Sequence, residues 1–264
     1  MLGAGPLAER AIPRSGPYHL AVLVSELVDR MRAAAEEDPT WLGSERNLAL
    51  LEEFAAERAP GTVVRWGQSG QRAFASGGVL SIEPPVELAG YDSIFIHAAM
   101  AHHEVLHRVY SDDTGAAAMS GRLTLYTPYL TTLGEQVFNW LEDVRMARME
   151  HAAEPANDDY PVEVHRLSVD QQEALYQSSL GEQPWTTSPT HPIAQVRIAL
   201  AKRILCGELD DLVAPAVARV MAELEPEISI AIASQETNGA RGGALAVVAV
   251  LAREWDELRR AHAH

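Results

Sequence analysis

Ile94-Phe95-Ile96-His97-Ala98-Ala99-Met100-Ala101-His102-His103-Glu104-Val105-Leu106-His107-Arg108-Val109-Tyr110 is the stretch on which the reading of this chain turns. It reads as one apolar helix carrying a cluster of histidines around a glutamate. His103 and His107 stand four residues apart, so on a helix both imidazoles leave the same face, one turn from each other. That spacing lets two ring nitrogens reach a single ion at about 2.0 to 2.1 Å. Glu104 follows the first of them and is placed to take a proton from water, whose pKa a zinc ion lowers to roughly 7. A Lewis-acidic metal, an activated water and a general base are the parts that attack on an amide carbonyl requires. Two histidines on a partly exposed helix face with no metal would give the same five-residue pattern. His102 lies about 100° around the helix from His103 and reads as a packing or surface residue. His97, six residues before His103, is off the shared face.

Upstream of this helix the pattern is that of a small sheet. Thr62 to Trp66 reads as a strand, Gly67 to Gly70 as a turn, and Arg72 to Ala75 and Val79 to Ile82 as short strands around Gly77-Gly78, with Pro84-Pro85 closing the region. Two helices are expected before it. One runs from Tyr18 to about Glu37, with Leu20, Leu23, Val24, Leu27, Val28 and Met31 at helical spacing. The other runs from Gly43 to Glu57, ended by Ala59-Pro60-Gly61. Residues 1 to 17 are rich in glycine and proline and read as a loose arm.

Downstream, a small-residue loop is expected from Thr114 to Gly121, then one long helix from Thr127 to about Ala153. A helix from Ser168 through Tyr176, a polar loop over Gly181 to Pro192, and helices over Ile193 to Cys206, Leu209 to Leu224 and Gly243 to Ala261 complete the chain. The expected fold is mainly α with a small β-sheet (α+β). Residues 18–264 form one domain, with 62–150 as its core and 168–264 as a helical C-terminal part.

A catalytic metal site needs a third protein ligand and an open fourth position. The long helix offers Asn139-Trp140-Leu141-Glu142-Asp143-Val144-Arg145, where adjacent acidic side chains in an apolar stretch would be costly to bury unpaired. Glu142 is read as the third ligand. Asp143 is read as the acceptor that orients a ligand histidine through its other ring nitrogen, with Asn139 a further supporting residue. The two acids are neighbours and can exchange roles, because the rotation of the helix is not fixed by sequence. Surface pairing with Arg145 or Arg148 is the plainer alternative for both. For a donor to a developing oxyanion, Tyr160 and His165 are candidates, and His151, His191 and Tyr176 are also eligible.

Bulk composition narrows the field. The chain has 264 residues, 47% of them apolar, and a formal net charge of −16. Such acidity argues against a nucleic-acid backbone or an anionic lipid surface as partner. Cys206 is the single cysteine, so no intramolecular disulfide forms and a metal site must use His, Asp or Glu. No apolar stretch reaches membrane-spanning length, and the first residues lack the pattern of a signal peptide. A cytoplasmic protein is expected.

The segment His103 to His107, with a glutamate in a later helix, resembles the gluzincin metallopeptidases. It is similar in more detail to the metallopeptidase-like domain found beside von Willebrand A modules in cobalt-chelatase-subunit-like and phage-encoded proteins. The likeness rests on His103 to His107 followed by Tyr110-Ser111-Asp112, on Asn139 to Arg145, and on Ala73 to Leu80 ahead of the helix, and it spans roughly residues 62–150. It implies a zincin-like core holding one zinc ion through His103, His107 and Glu142, with Glu104 as base. The Asp-x-Ser-x-Ser motif of a von Willebrand A module is absent from the sequence. The expected function is zinc-dependent hydrolysis of a peptide or amide bond. Two alternatives are a non-catalytic, zinc-stabilised module that binds a protein partner, and a metal-dependent hydrolase of a small-molecule amide.

Overall fold

A computed structural model describes residues 19–38, 40, 44–67, 74–76, 78–82, 93–112, 116–153, 169, 192–207 and 215–262. The chain is mainly helical with one small sheet. Helix α1 (His19–Glu37) buries Leu27, Val28, Met31 and Ala34, a stripe at helical spacing. Ser44 caps α2 (Glu45–Arg58) by accepting from the Asn47 N–H, and α2 turns Leu51, Phe54 and Ala55 inward.

Three strands follow: β1 (Val63–Trp66), β2 (Phe74–Ser76) and β3 (Val79–Ile82), in the spatial order β1-β3-β2. β3 is central, parallel to β1 with Val64 beside Leu80, and antiparallel to β2 with Ala75 beside Leu80. Gly78, ahead of β3, has φ +84°, a left-handed backbone that glycine adopts without steric cost. Helix α3 (Ser93–Tyr110) lies against this layer. Its Ala98, Ala101 and Val105 join α1, α2, Val64, Leu80 and Ile82 in one buried cluster.

The rest is helical: α4 (Ala116–Leu123), α5 (Pro128–Ala153), α6 (Pro192–Ala201), α7 (Pro215–Ala233) and α8 (Thr237–His262). A π-helical turn, Lys202–Cys206, extends α6 and stops at Gly207. Pro128 opens α5 at the first helical position, where a missing N–H does no harm. A second buried cluster is built from α4 to α8, with Leu133, Val137, Trp140 and Leu141 supplied by α5. At Gly243 a Cβ would stand 2.4 Å from Ala231 Cβ and 3.0 Å from Leu141 Cδ1, so glycine lets α8 approach both α7 and α5.

Three expectations change. Most of the loop expected over Thr114 to Gly121 is instead α4, which runs from Ala116 on to Leu123, because Met119 and Leu123, one turn apart, both bury against the second cluster. α7 continues past Leu224, through Pro226, to Ala233; burial of Ile228 and Ala231 outweighs the lost backbone bond. α8 begins at Thr237, six residues before Gly243. The arm of residues 1–17, most of the helix from Ser168 to Tyr176, and residues 181–191 of the polar loop lie outside the described residues. No helix among the described residues is long and apolar enough to cross a membrane.

Candidate metal centre

α3 and α5 face each other, and between them three donor groups converge. Asp143 Oδ1 lies 3.4 Å from His103 Nε2 and 3.4 Å from His107 Nε2. One ligand atom from each of these residues lies within 4.8 Å of the other two. The two imidazoles stand edge to face, with ring centres 4.9 Å apart. A spacing of 3.4 Å exceeds the usual range of an N–H···O bond. It equals the edge of a tetrahedron whose centre is bonded at about 2.1 Å, close to 3.4 Å. Two imidazole nitrogens and a carboxylate oxygen are also a donor set that zinc and other first-row ions accept. The residues therefore fit a divalent ion.

Glu104 sits beside this group and is buried. Its Oε2 has no hydrogen-bond partner among the described residues. Burial pushes its carboxyl up to about 7; His107 pulls it back in part, and the negative charge of Asp143 adds to the rise. Burial alone would lower His107, but the Asp143 carboxylate beside it, with the charges of Glu104 and Glu142, outweighs it and holds the imidazole above its ordinary value.

Glu142, expected as the third ligand, faces elsewhere. Arg145 holds it in a bidentate pair, Nε to Oε2 at 2.8 Å and Nη2 to Oε1 at 2.6 Å. Ser111 Oγ and Thr237 Oγ1 also donate to Oε1, at 2.7 and 3.1 Å. The carboxylate that meets the histidines is Asp143, not Glu142. The reason is helix rotation. Successive residues differ by about 100°, and burial of Arg145 beneath Tyr110 O and Gln235 O turns Glu142 inward.

Ser111 connects the two groups; the sequence reading names it only within Tyr110-Ser111-Asp112 and gives it no role. His107 Nδ1 lies 3.1 Å from Ser111 Oγ. The Ser111 hydroxyl has one proton, and the Arg-paired carboxylate of Glu142 is a stronger acceptor than the nearby Met146 sulfur. The Ser111 oxygen is then the acceptor for a proton on His107 Nδ1. Ser111 is four residues beyond His107, on the same helical face, and that spacing was the available signal. Thr237 carries no such signal, because it lies 95 residues from Glu142.

The other expected residues spread out. His102 is buried 3.6 Å from Glu150 Oε1, where Arg58 and Tyr110 also converge. His97 is buried and stacks on Trp66 with ring centres 5.6 Å apart. Asn139 is exposed on α5. Tyr160, His165, His191 and Tyr176 lie outside the described residues, as does the side chain of His151. Comparison of the chain with known protein families, with curated proteins and with solved structures found no match.

Proposed function

We propose that this protein is a zinc-dependent hydrolase of a peptide or amide bond, with a zincin-like core formed by α3 and α5. His103, His107 and Asp143 would hold the ion, and Glu104 would act as general base. The reading rests on the convergence of Asp143 Oδ1, at 3.4 Å, on both ring nitrogens of the His103/His107 pair. An aspartate takes the ligand position that the likeness to gluzincins gives to a glutamate. A zinc ion bound there supplies Lewis acidity, acidifying water and polarising a carbonyl. The chain's own residues do the rest. His103, His107 and Asp143 would supply three ligands, the number a catalytic zinc site takes from the protein. Glu104, beside His107 and Asp143 and with one oxygen unengaged among the described residues, takes a proton from water and can return it to a leaving amine.

The test joins metal content to cleavage. Elemental analysis of protein purified without added metal should give one zinc per chain in wild type, and a strongly reduced amount in Asp143→Ala. A peptide library should be cut by wild type and about 10²- to 10⁴-fold more slowly by Glu104→Gln, with zinc retained. Equal cleavage by Glu104→Gln would remove Glu104 from the mechanism. Stoichiometric zinc with no peptide cleavage would remove the peptidase reading and leave the non-catalytic module and the small-molecule amide hydrolase. Absence of metal would end the zinc reading.

A further inference from the structure

We infer that Glu142 is a positioning residue for the metal centre, acting on His107 through Ser111, and that the start of α8 holds it in place. The inference rests on the zinc reading above.

The path is continuous. His107 Nδ1 lies 3.1 Å from Ser111 Oγ, and Ser111 Oγ donates to Glu142 Oε1 at 2.7 Å. A carboxylate at the end of the chain sets its direction: Glu142 accepts, Ser111 donates to it, and Ser111 accepts from His107. The proton of His107 therefore sits on Nδ1, and the Nε2 lone pair points toward Asp143 and His103. A ligand histidine needs this tautomer, and fixing it from the far side of the ring strengthens binding.

Glu142 can act this way because it is itself locked. Arg145 grips both of its oxygens. Arg145 is fixed in turn by Tyr110 O at the end of α3 and by Gln235 O before α8. Thr237, the first residue of α8, donates to Glu142 Oε1 and accepts from the Asp112 N–H. Arg241, one turn along α8, donates to Asp112 O. The start of α8 thus grips the relay at two points: the carboxylate, and the backbone just after Ser111. In the sequence Tyr110-Ser111-Asp112, the hydroxyl of Ser111 serves the histidine and the backbone of Asp112 serves α8.

The experiment uses the full chain, titrated with zinc chloride against a chelator of known affinity. Ser111→Ala should weaken zinc binding by about 10- to 100-fold, and Ser111→Thr, which keeps the hydroxyl, should restore most of it. Thr237→Val should weaken binding by a smaller factor, although it lies outside the ligand set. Ser111→Ala leaves the Glu142–Arg145 pair intact, so the test stays readable if Glu142→Gln fails to fold. A second readout is nitrogen-15 NMR of His107. The Nδ1–H tautomer should dominate in wild type and lose that dominance in Ser111→Ala; the two ring nitrogen shifts report the tautomer directly, whatever the solvent access of the ring. Wild-type protein that binds zinc while Ser111→Ala binds it equally tightly, or a His107 ring with a bare Nδ1, overturns the relay alone. Wild-type protein that binds no zinc overturns the metal centre, and this role for Glu142 with it.

Discussion

Asp143 and Glu142 are adjacent on α5, yet one meets two imidazoles and the other a guanidinium. At the scale of single residues the same helix shows how burial sorts polar groups by the partners they find. His97 is the contrasting case. It is 3% exposed, its Nε2 has no hydrogen-bond partner among the described residues, and burial lowers it to about 4. The sign follows from linkage. The unfolded chain binds a proton on His97 near its ordinary value of 6.5, while the folded protein resists it until about 4. Stability from this residue is therefore complete above about pH 6.5 and is lost as pH falls through that window, by up to about 3 kcal/mol. Urea unfolding near neutrality and near the lower end of the window should show a smaller loss in His97→Gln than in wild type. Equal losses would mean that His97 takes up a proton in the fold as freely as in the unfolded chain.

At the scale of elements, periodicity made α1, α2, α3, α5 and the strands readable, because each places apolar residues at its own spacing. The His103/His107 face was readable for the same reason. α4 was hidden because Ala116, Ala117 and Ala118 have little apolar area, and its anchors Met119 and Leu123 are too few to set a period. The run of α7 through Pro226 was hidden because local rules stop a helix there and only tertiary burial overrides them. The rotation of α5, which decides between Glu142 and Asp143, depends on partners in α3 and before α8 that no local pattern reveals. The join of α2, α3 and α5 at Glu150 is equally non-local. Arg58, 92 residues away, pairs with Glu150 at 3.3 Å, and Tyr110 donates to it at 3.0 Å. Burial works to raise Glu150, but the His102 ring and the Arg58 guanidinium beside it, with the Tyr110 hydroxyl, outweigh it and hold the carboxyl below its ordinary value. Its contribution is present above the unfolded pKa and fades as pH falls through the folded one. Glu150→Leu strands Arg58 in a buried site, so it should cost about 3 to 5 kcal/mol in urea unfolding at neutral pH. A loss below about 1 kcal/mol would show that water reaches Arg58 and replaces the pair.

Across the whole molecule, the described residues form two apolar clusters, and the candidate metal centre lies between them. α3 buries Ala98, Ala101 and Val105 in the first; α5 buries Leu133, Val137, Trp140 and Leu141 in the second. Polar links cross the seam at Arg58–Glu150, Tyr110–Glu150, Ser111–Glu142 and Asp112–Thr237. An ion held by His103 and His107 from one side and Asp143 from the other would add a further link, and its effect is set by mass action. At free zinc 100-fold above the dissociation constant, the folded state gains about 2.7 kcal/mol. For a chain of this size that corresponds to a rise in Tm of roughly 5 to 10 °C. Calorimetry with and without zinc should show this rise in wild type and not in Asp143→Ala, whereas Glu142→Gln should keep a smaller one. Hydrogen exchange gives the spatial version of the same test: because the ion would tie α3 to α5, zinc should slow exchange on both helices together. Slowing confined to α3 would mean that the histidines bind the ion without Asp143, and that the two clusters meet only through their polar links.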